Sequence, residues 1–332
     1  MEDIFGAGDR VESYTEPSAP RMDPKALRAQ FAATAPAPEK PKRKLLNKKA
    51  WEQYEAELEA WKRETRDARL RESPWPRAVN VLVTNKKGSS GKTPTTLCTA
   101  GALASILNGG VAVFEAADTA GTLLSRAEGD AKQGLVEMLR NADTLTSRAA
   151  VESYGLKQST GAMVYGSIER RRPWSGADID TIRDILDLQY LVTIADSANN
   201  EMSAAFGAAL VGADVLVIPT TVSLDSVSAV LETLDFIDKK DPSKLIPHRP
   251  ELWERTIVVV THDGRREDPE VSANVVEALR GVGIVVVEVP FDDHLAEGRT
   301  IRWGSLSDES RTAWSDLAHL VGEKLHAAIT NN

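Results

Sequence analysis

A doubly wound, mainly parallel α/β sheet of about seven strands, flanked by helices and preceded by a disordered tail and one extra helix, is the fold this sequence predicts. Three observations predict it. From Ala78 onward, short apolar runs alternate with segments of helical periodicity, the rhythm of strands buried on both faces and joined by right-handed crossovers. A glycine- and lysine-rich turn stands between the first run and the first helical segment. The opening forty residues, rich in Ala, Pro, Glu and Ser, carry no apolar periodicity at all, the composition of a chain that cannot bury enough to fold.

In chain order, residues 1–46 read as the tail, ending in the basic run "EKPKRKLLNKK" from Glu39 to Lys49. Such a run is either a solvated linker or an arm for a polyanion, and the linker reading is favoured because short basic runs are common. Residues 47–76 read as an amphipathic helix and its linker. Trp51, Tyr54, Leu58 and Trp61 recur at spacings of three and four and define one stripe, which needs a dry partner surface. Glu59 with Arg63, and Asp67 with Arg71, stand at the favourable i, i+4 spacing. "SPWPR" ends the helix, since a residue before proline is pushed out of the α region.

Residues 77–328 read as the α/β domain. Its expected strands are 79–84, 111–116, 162–167, 190–196, 214–220, 256–261 and 283–290. Its expected helices lie near 93–107, 131–140, 177–188, 201–211, 225–239, 270–280 and 307–328. In the last of these, Trp314, Leu317, Val321 and Leu325 form a stripe with acidic residues interspersed and few cations. That pattern suits packing on the sheet better than a lipid interface, which favours basic polar faces.

Composition removes several function classes. A net charge of −9 over 332 residues argues against a protein that coats nucleic acid by bulk electrostatics, leaving only local basic patches such as "ERRRPW" at 169–174 to touch phosphates. One cysteine, Cys98, provides neither a disulfide nor a cysteine-ligated cluster within the chain and suits a reducing cytoplasm. No apolar run approaches the roughly 20 residues of a membrane span, so a soluble cytoplasmic protein is expected.

The chemistry concentrates in "KKGSSGKTP", Lys86 to Pro94. Gly88 and Gly91 let backbone amides turn inward, where they and the following helix N-terminus can hold a polyphosphate. Lys92 supplies a cation to the phosphate oxygens and Thr93 a ligand for Mg²⁺. Pro94 is tolerated because the first helical turn has no internal partner for its missing N–H. The usual first glycine of a phosphate loop is replaced by Lys86, and a second lysine, Lys87, precedes Lys92 by five residues. Phosphoryl transfer also calls for carboxylates at strand ends. Asp118 in "FEAADTAGTL" and Asp196 in "TIADSANN" meet that need, with Glu115 ranked below Asp118 as a side chain that is solvated or paired.

This arrangement resembles the deviant Walker A motif of the ParA/MinD family of dimeric P-loop ATPases, written here Lys87-Gly88-Ser89-Ser90-Gly91-Lys92-Thr93-Pro94. Ser89 stands at the family's second glycine and Pro94 at its second threonine. The resemblance implies that Lys92 serves its own subunit's ATP while Lys87 reaches the phosphates of the partner in a homodimer. It implies that Asp118 orients the attacking water or the Mg²⁺ shell, with Ala116 at the position of the family's first aspartate, and that Asp196 holds Mg²⁺ through water. Lys87, Lys92 and Asp118 are then the catalytic set; Thr93, Asp118 and Asp196 attend the metal. "VPFDDHLAEG" looks like the family's loop against the adenine, so Thr261, His262, Pro290, Phe291 and Asp292 become base contacts. "GTL" and the "HLAEG" end are similar to an EspI-like, plasmid- or secretion-associated branch.

The implied function is a Mg²⁺-ATP-dependent dimerisation switch with slow hydrolysis, stimulated by a ParB-like or other partner protein. It would position DNA or other cargo, with non-specific DNA and the nucleoid as candidate associations, without membrane insertion. Two alternatives stand beside it: a nucleotide-binding scaffold with little or no hydrolysis, and a metabolic P-loop kinase or ligase, for which the sequence offers no small-substrate pocket.

Overall fold

The computed structural model describes residues 36–40, 48–239, 247–262, 264 and 269–330. Most of the tail expected over 1–46 and most of the basic run lie outside the described residues. The chain divides into two compact units, residues 1–65 and 66–332.

In the first unit, helix α1 (Lys48–Glu72) begins. Trp51 and Tyr54 stack at 5.6 Å between ring centroids, and the Trp51 indole donates to Glu55 one turn on. Glu59 pairs with Lys62 at 2.6 Å, three residues on.

The second unit holds one eight-stranded sheet in the order β3-β4-β2-β5-β1-β6-β7-β8. Its strands are β1 (Val79–Val83), β2 (Val111–Ala116), β3 (Leu156–Lys157), β4 (Met163–Tyr165), β5 (Val192–Ser197), β6 (Val215–Thr221), β7 (Thr256–Thr261) and β8 (Val285–Val289). Every pairing is parallel except β3 with β4. The eighth strand exceeds the expected seven because β3 spans two residues, too short for a period-2 pattern to register.

Helices cover both faces. On one lie α2 (Lys92–Leu107), α3 (Leu123–Arg126) and α11 (Asp308–Thr330); on the other α6 (Gly176–Asp187), α7 (Ala204–Gly212), α8 (Leu224–Asp238) and α9 (Pro269–Gly281). Short helices α4 (Leu135–Arg140), α5 (Arg148–Glu152) and α10 (Asp293–Ala296) sit in connections. Serine side chains cap several helices: Ser147 for α5, Ser175 for α6, Ser203 for α7 and Ser223 for α8 each accept a hydrogen bond from the amide three residues on. These caps decide where the chain leaves the strand-end loops and turns helical.

The terminal stripe is core. Trp314, Leu317, Val321 and Leu325 are all fully buried against the sheet and α2. Gly322 on the same helix receives the last turn of α1: a Cβ there would come within 2.6 Å of the Leu70 side chain. Asp67, expected to pair with Arg71, lies 2.6 Å from His319 on α11.

Pro219 sits inside a central strand, where proline usually breaks a ladder. Its carbonyl accepts from Asn85 Nδ2 at 2.8 Å, so its nitrogen faces the same side, beyond the last β1 partner at Val217. The missing N–H therefore costs no ladder bond.

Register sets the site. Val83 and Glu115 both lie opposite Asp196, so β1, β5 and β2 end level and release their loops at one edge, where such sheets bind ligands.

Candidate phosphate-loop site

The loop after β1 is folded by its own side chains. Asn85, fully buried, accepts from the Lys87 amide at 2.8 Å while its Nδ2 holds Pro219. Ser89 adopts φ 58 and Gly91 φ 86, both left-handed. Glycine tolerates that conformation freely; for serine it costs roughly 1 kcal/mol. The family motif's glycine at the Ser89 position thus has a conformational reason, and the backbone takes that shape here without it.

Lys92 opens α2 and folds back over the loop. Its ammonium donates to the carbonyls of Asn85 (2.9 Å) and Lys87 (3.2 Å) and to Asn199 Oδ1. Burial lowers its pKa, against the pull of Asp196 and Glu201. Thr93 Oγ1 donates to Asp196 Oδ2 at 2.9 Å and Thr96 Oγ1 to Asp196 Oδ1 at 3.2 Å. Burial pushes the Asp196 carboxyl up to about 6, opposed by those two hydroxyls and Lys92 and aided by Glu115. A hydroxyl and a carboxylate, both hard oxygen donors, therefore adjoin a cation-bearing loop of backbone amides. That set fits a magnesium–polyphosphate pair.

Asp118 leaves β2 toward the same edge, and its carboxylate accepts from Asn200 Nδ2 at 3.0 Å. Lys87 turns onto the start of α8, donating to Ser226 Oγ (3.1 Å) and Ser223 Oγ (3.4 Å), while Lys86 pairs with Glu232. Thr261 ends β7 against Gly91, where an added Cβ would lie 3.6 Å from its Oγ1. The exposed Phe291 ring packs on Gly264 just beyond it, beside exposed Pro290; His262 directly follows Thr261. Asp292 is buried and its carboxylate is committed to backbone amides of His294, Leu295 and Ser307. These bonds hold its pKa below the usual carboxylate range against the cost of burial. It shapes the Pro290–Phe291 loop rather than facing outward.

Several site residues escape a reading of the sequence. Asn199 and Asn200 stand in "TIADSANN", and their adjacency to Asp196 was the available signal. Glu115, expected to be solvated or paired, is paired, and the partner it takes from the basic island is what the sequence did not show. Glu115 is 2% exposed and ion-paired with Arg171, and Trp174 is 4% exposed, so two of the six residues of "ERRRPW", Arg171 and Trp174, turn their side chains into the fold while Glu169, Arg170, Arg172 and Pro173 stay exposed. Among the described residues no cluster of three or more metal-ligating His, Cys, Asp or Glu side chains occurs, and no helix is long and apolar enough to cross a membrane.

No protein-family model matches the chain, and no curated protein matches it in sequence. Solved structures do match its fold. A ParA family ATPase from Chlorobium tepidum superposes with a TM-score of 0.51 at 15% identity, covering 77% of this chain and 99% of that one. Apo McdA from Cyanothece gives 0.49 at 15% identity over 76% and 99% of the two chains. MinD in the MinC:MinD complex of Aquifex aeolicus gives 0.48 at 17% identity over 75% and 96%. The chain has the P-loop fold of the ParA family ATPase from Chlorobium tepidum.

Proposed function

We propose that this chain is a Mg²⁺-ATP-dependent dimerising ATPase switch of the ParA type. The observation that carries the reading is that Lys92 folds onto the Asn85 and Lys87 carbonyls of the loop after β1 while the adjacent Thr93 donates to Asp196 at the end of β5. Lys92 binds the terminal phosphates of its own subunit's nucleotide. The amides of residues 88–94 cradle them. Thr93, Asp196 and Asp118 attend the magnesium, which when bound neutralises phosphate charge. Thr261, His262, Pro290 and Phe291 border the base, with Asp292 fixing their loop, and Asp118 orients the attacking water with Asn200. Lys87 leaves Ser223 and Ser226 to reach the partner subunit's phosphates. Slow hydrolysis, stimulated by a partner protein of the ParB kind or another, resets the dimer. Non-specific DNA, a nucleoid location and a role in partitioning DNA or other cargo belong to the same proposal.

The closing role of Lys87 is tested by replacing it. With magnesium and a non-hydrolysable ATP analogue, the wild type is expected to dimerise, whereas Lys87→Ala should bind nucleotide yet remain monomeric in light scattering. An unimpaired dimer refutes the role in trans.

A proton competes with the metal at Asp196. Because burial raises this carboxyl to about 6, its neutral form is favoured in the fold: its contribution to folding is full below the unfolded value near 3.9 and is lost as pH rises through 6. The metal needs the carboxylate, so the sign for binding is opposite. Magnesium-dependent ATP affinity should be level above about pH 7 and fall roughly tenfold per unit below 6. Titrations from pH 5 to 8 test this, and the fall should vanish in Asp196→Asn.

A second reading, a nucleotide-binding scaffold with little hydrolysis of the EspI-like kind, is favoured by Ala116 at the first switch position and by the Asp118–Asn200 bond. Phosphate release above background, lost in Asp118→Ala, separates the two.

A further inference from the structure

The basic island at 169–174 has its centre inside the protein, and what it holds there is the loop that carries Asp118. Arg171 and Glu115 are 4% and 3% exposed in their side chains and meet at 2.5 Å. The guanidinium donates further to the carbonyls of Ala117 (2.9 Å) and Asp118 (3.2 Å) and to Ser167 Oγ (2.7 Å). It lies 3.9 Å over the Trp174 ring. Glu115 also accepts from Ser167 Oγ (2.8 Å) and, with its other oxygen, from the Gly121 amide (3.0 Å). Segment 117–121 is thereby gripped at both ends, its first two carbonyls by the arginine and its last amide by the glutamate. Between these grips, the Asp118 carboxylate is left to meet Asn200.

We infer that Arg171 is a positioning residue for Asp118, acting through this buried latch with Glu115; the inference rests on the ATPase reading. The guanidinium serves a carboxylate, a hydroxyl and the carbonyls of Ala117 and Asp118 together, four acceptors in a fixed planar fork that the three N–H groups of a lysine ammonium cannot match. A buried ion pair exchanged whole for neutral groups often leaves a fold as stable as before, which places the value of this one in geometry. Neither Lys92 nor Thr93 bonds to the latch, so nucleotide affinity and loop positioning are separable.

The test uses the full chain in three forms: wild type, Arg171→Lys, and the double variant Glu115→Gln/Arg171→Met, which avoids stranding a buried carboxylate. Both variants are expected to unfold at temperatures near the wild type and to bind ATP within about twofold of it. Their kcat should fall about tenfold or more with KM unchanged. Amides of 117–121 should exchange with deuterium at least about tenfold faster. A merely structural role predicts that the folded Arg171→Lys variant keeps its kcat. The inference fails if either folded variant turns over ATP at the wild-type rate, if KM rises in proportion to the loss, or if exchange at 117–121 is unchanged. Should the wild type itself release no phosphate, the ATPase reading falls, and the exchange comparison still decides whether the latch orders the loop.

Discussion

Lys92→Ala is expected to weaken ATP binding about 100-fold or more, close to 2.7 kcal/mol, the scale of a charge-assisted hydrogen bond at a desolvated site. The side chain is already drawn in among the Asn85 and Lys87 carbonyls and Asn199, at a cost that shows in its lowered pKa. An ammonium held by carbonyls near a carboxylate gains when phosphate oxygens replace neutral acceptors. Its loss should scarcely touch the fold, because the loop shape comes from Asn85, Ser89 and Gly91 rather than from this cation. Calorimetric titration with ATP and magnesium, beside a thermal melt that stays within a few degrees of the wild type, checks both halves. Tight binding by the folded alanine variant removes the phosphate-loop reading.

Trp314→Ala should have the largest effect on stability. The indole is completely buried between α11, the sheet and the face of α2, and truncating such a side chain forfeits its transfer energy and leaves a void, costing about 3–5 kcal/mol. For a unit of this size that corresponds to a fall in Tm on the order of 10 °C. Trp314→Phe should cost much less, because the indole nitrogen makes no hydrogen bond and a ring still fills most of the space. Denaturant titration of the three proteins gives the ranking, and a near-neutral alanine variant would show that α11 is not bound through this residue.

Much of this was legible along the chain. The apolar runs of β1, β2, β5, β6 and β7 are buried end to end but for the last residues of β6 and β7, Thr221 and Thr261, so both faces leave a local signature. The glycine-lysine turn announces itself because its backbone demands and its cation are contiguous. Glu115, Arg171, Asn85 and Asn200 were not legible in the same way. Arg171 stands 56 residues from its carboxylate, and nothing near "RRR" distinguishes the arginine that turns inward from its two neighbours. Asp292 looked like a contact for a base and proves to be a cap, since a carboxylate in a strand-end loop reads alike in either role until its amides are seen.

The sequence by itself determined the α/β rhythm, the order of helices and strands and the glycine-lysine turn between β1 and α2, all of which depend on neighbours within a few positions. Only the tertiary structure decided that Asp196 faces Thr93, that Glu115 is clamped by Arg171, and that Lys87 rests on α8. The reason is the sheet: β5 is inserted between β2 and β1, and this parallel register, set by packing across more than a hundred residues, brings the three strand ends level.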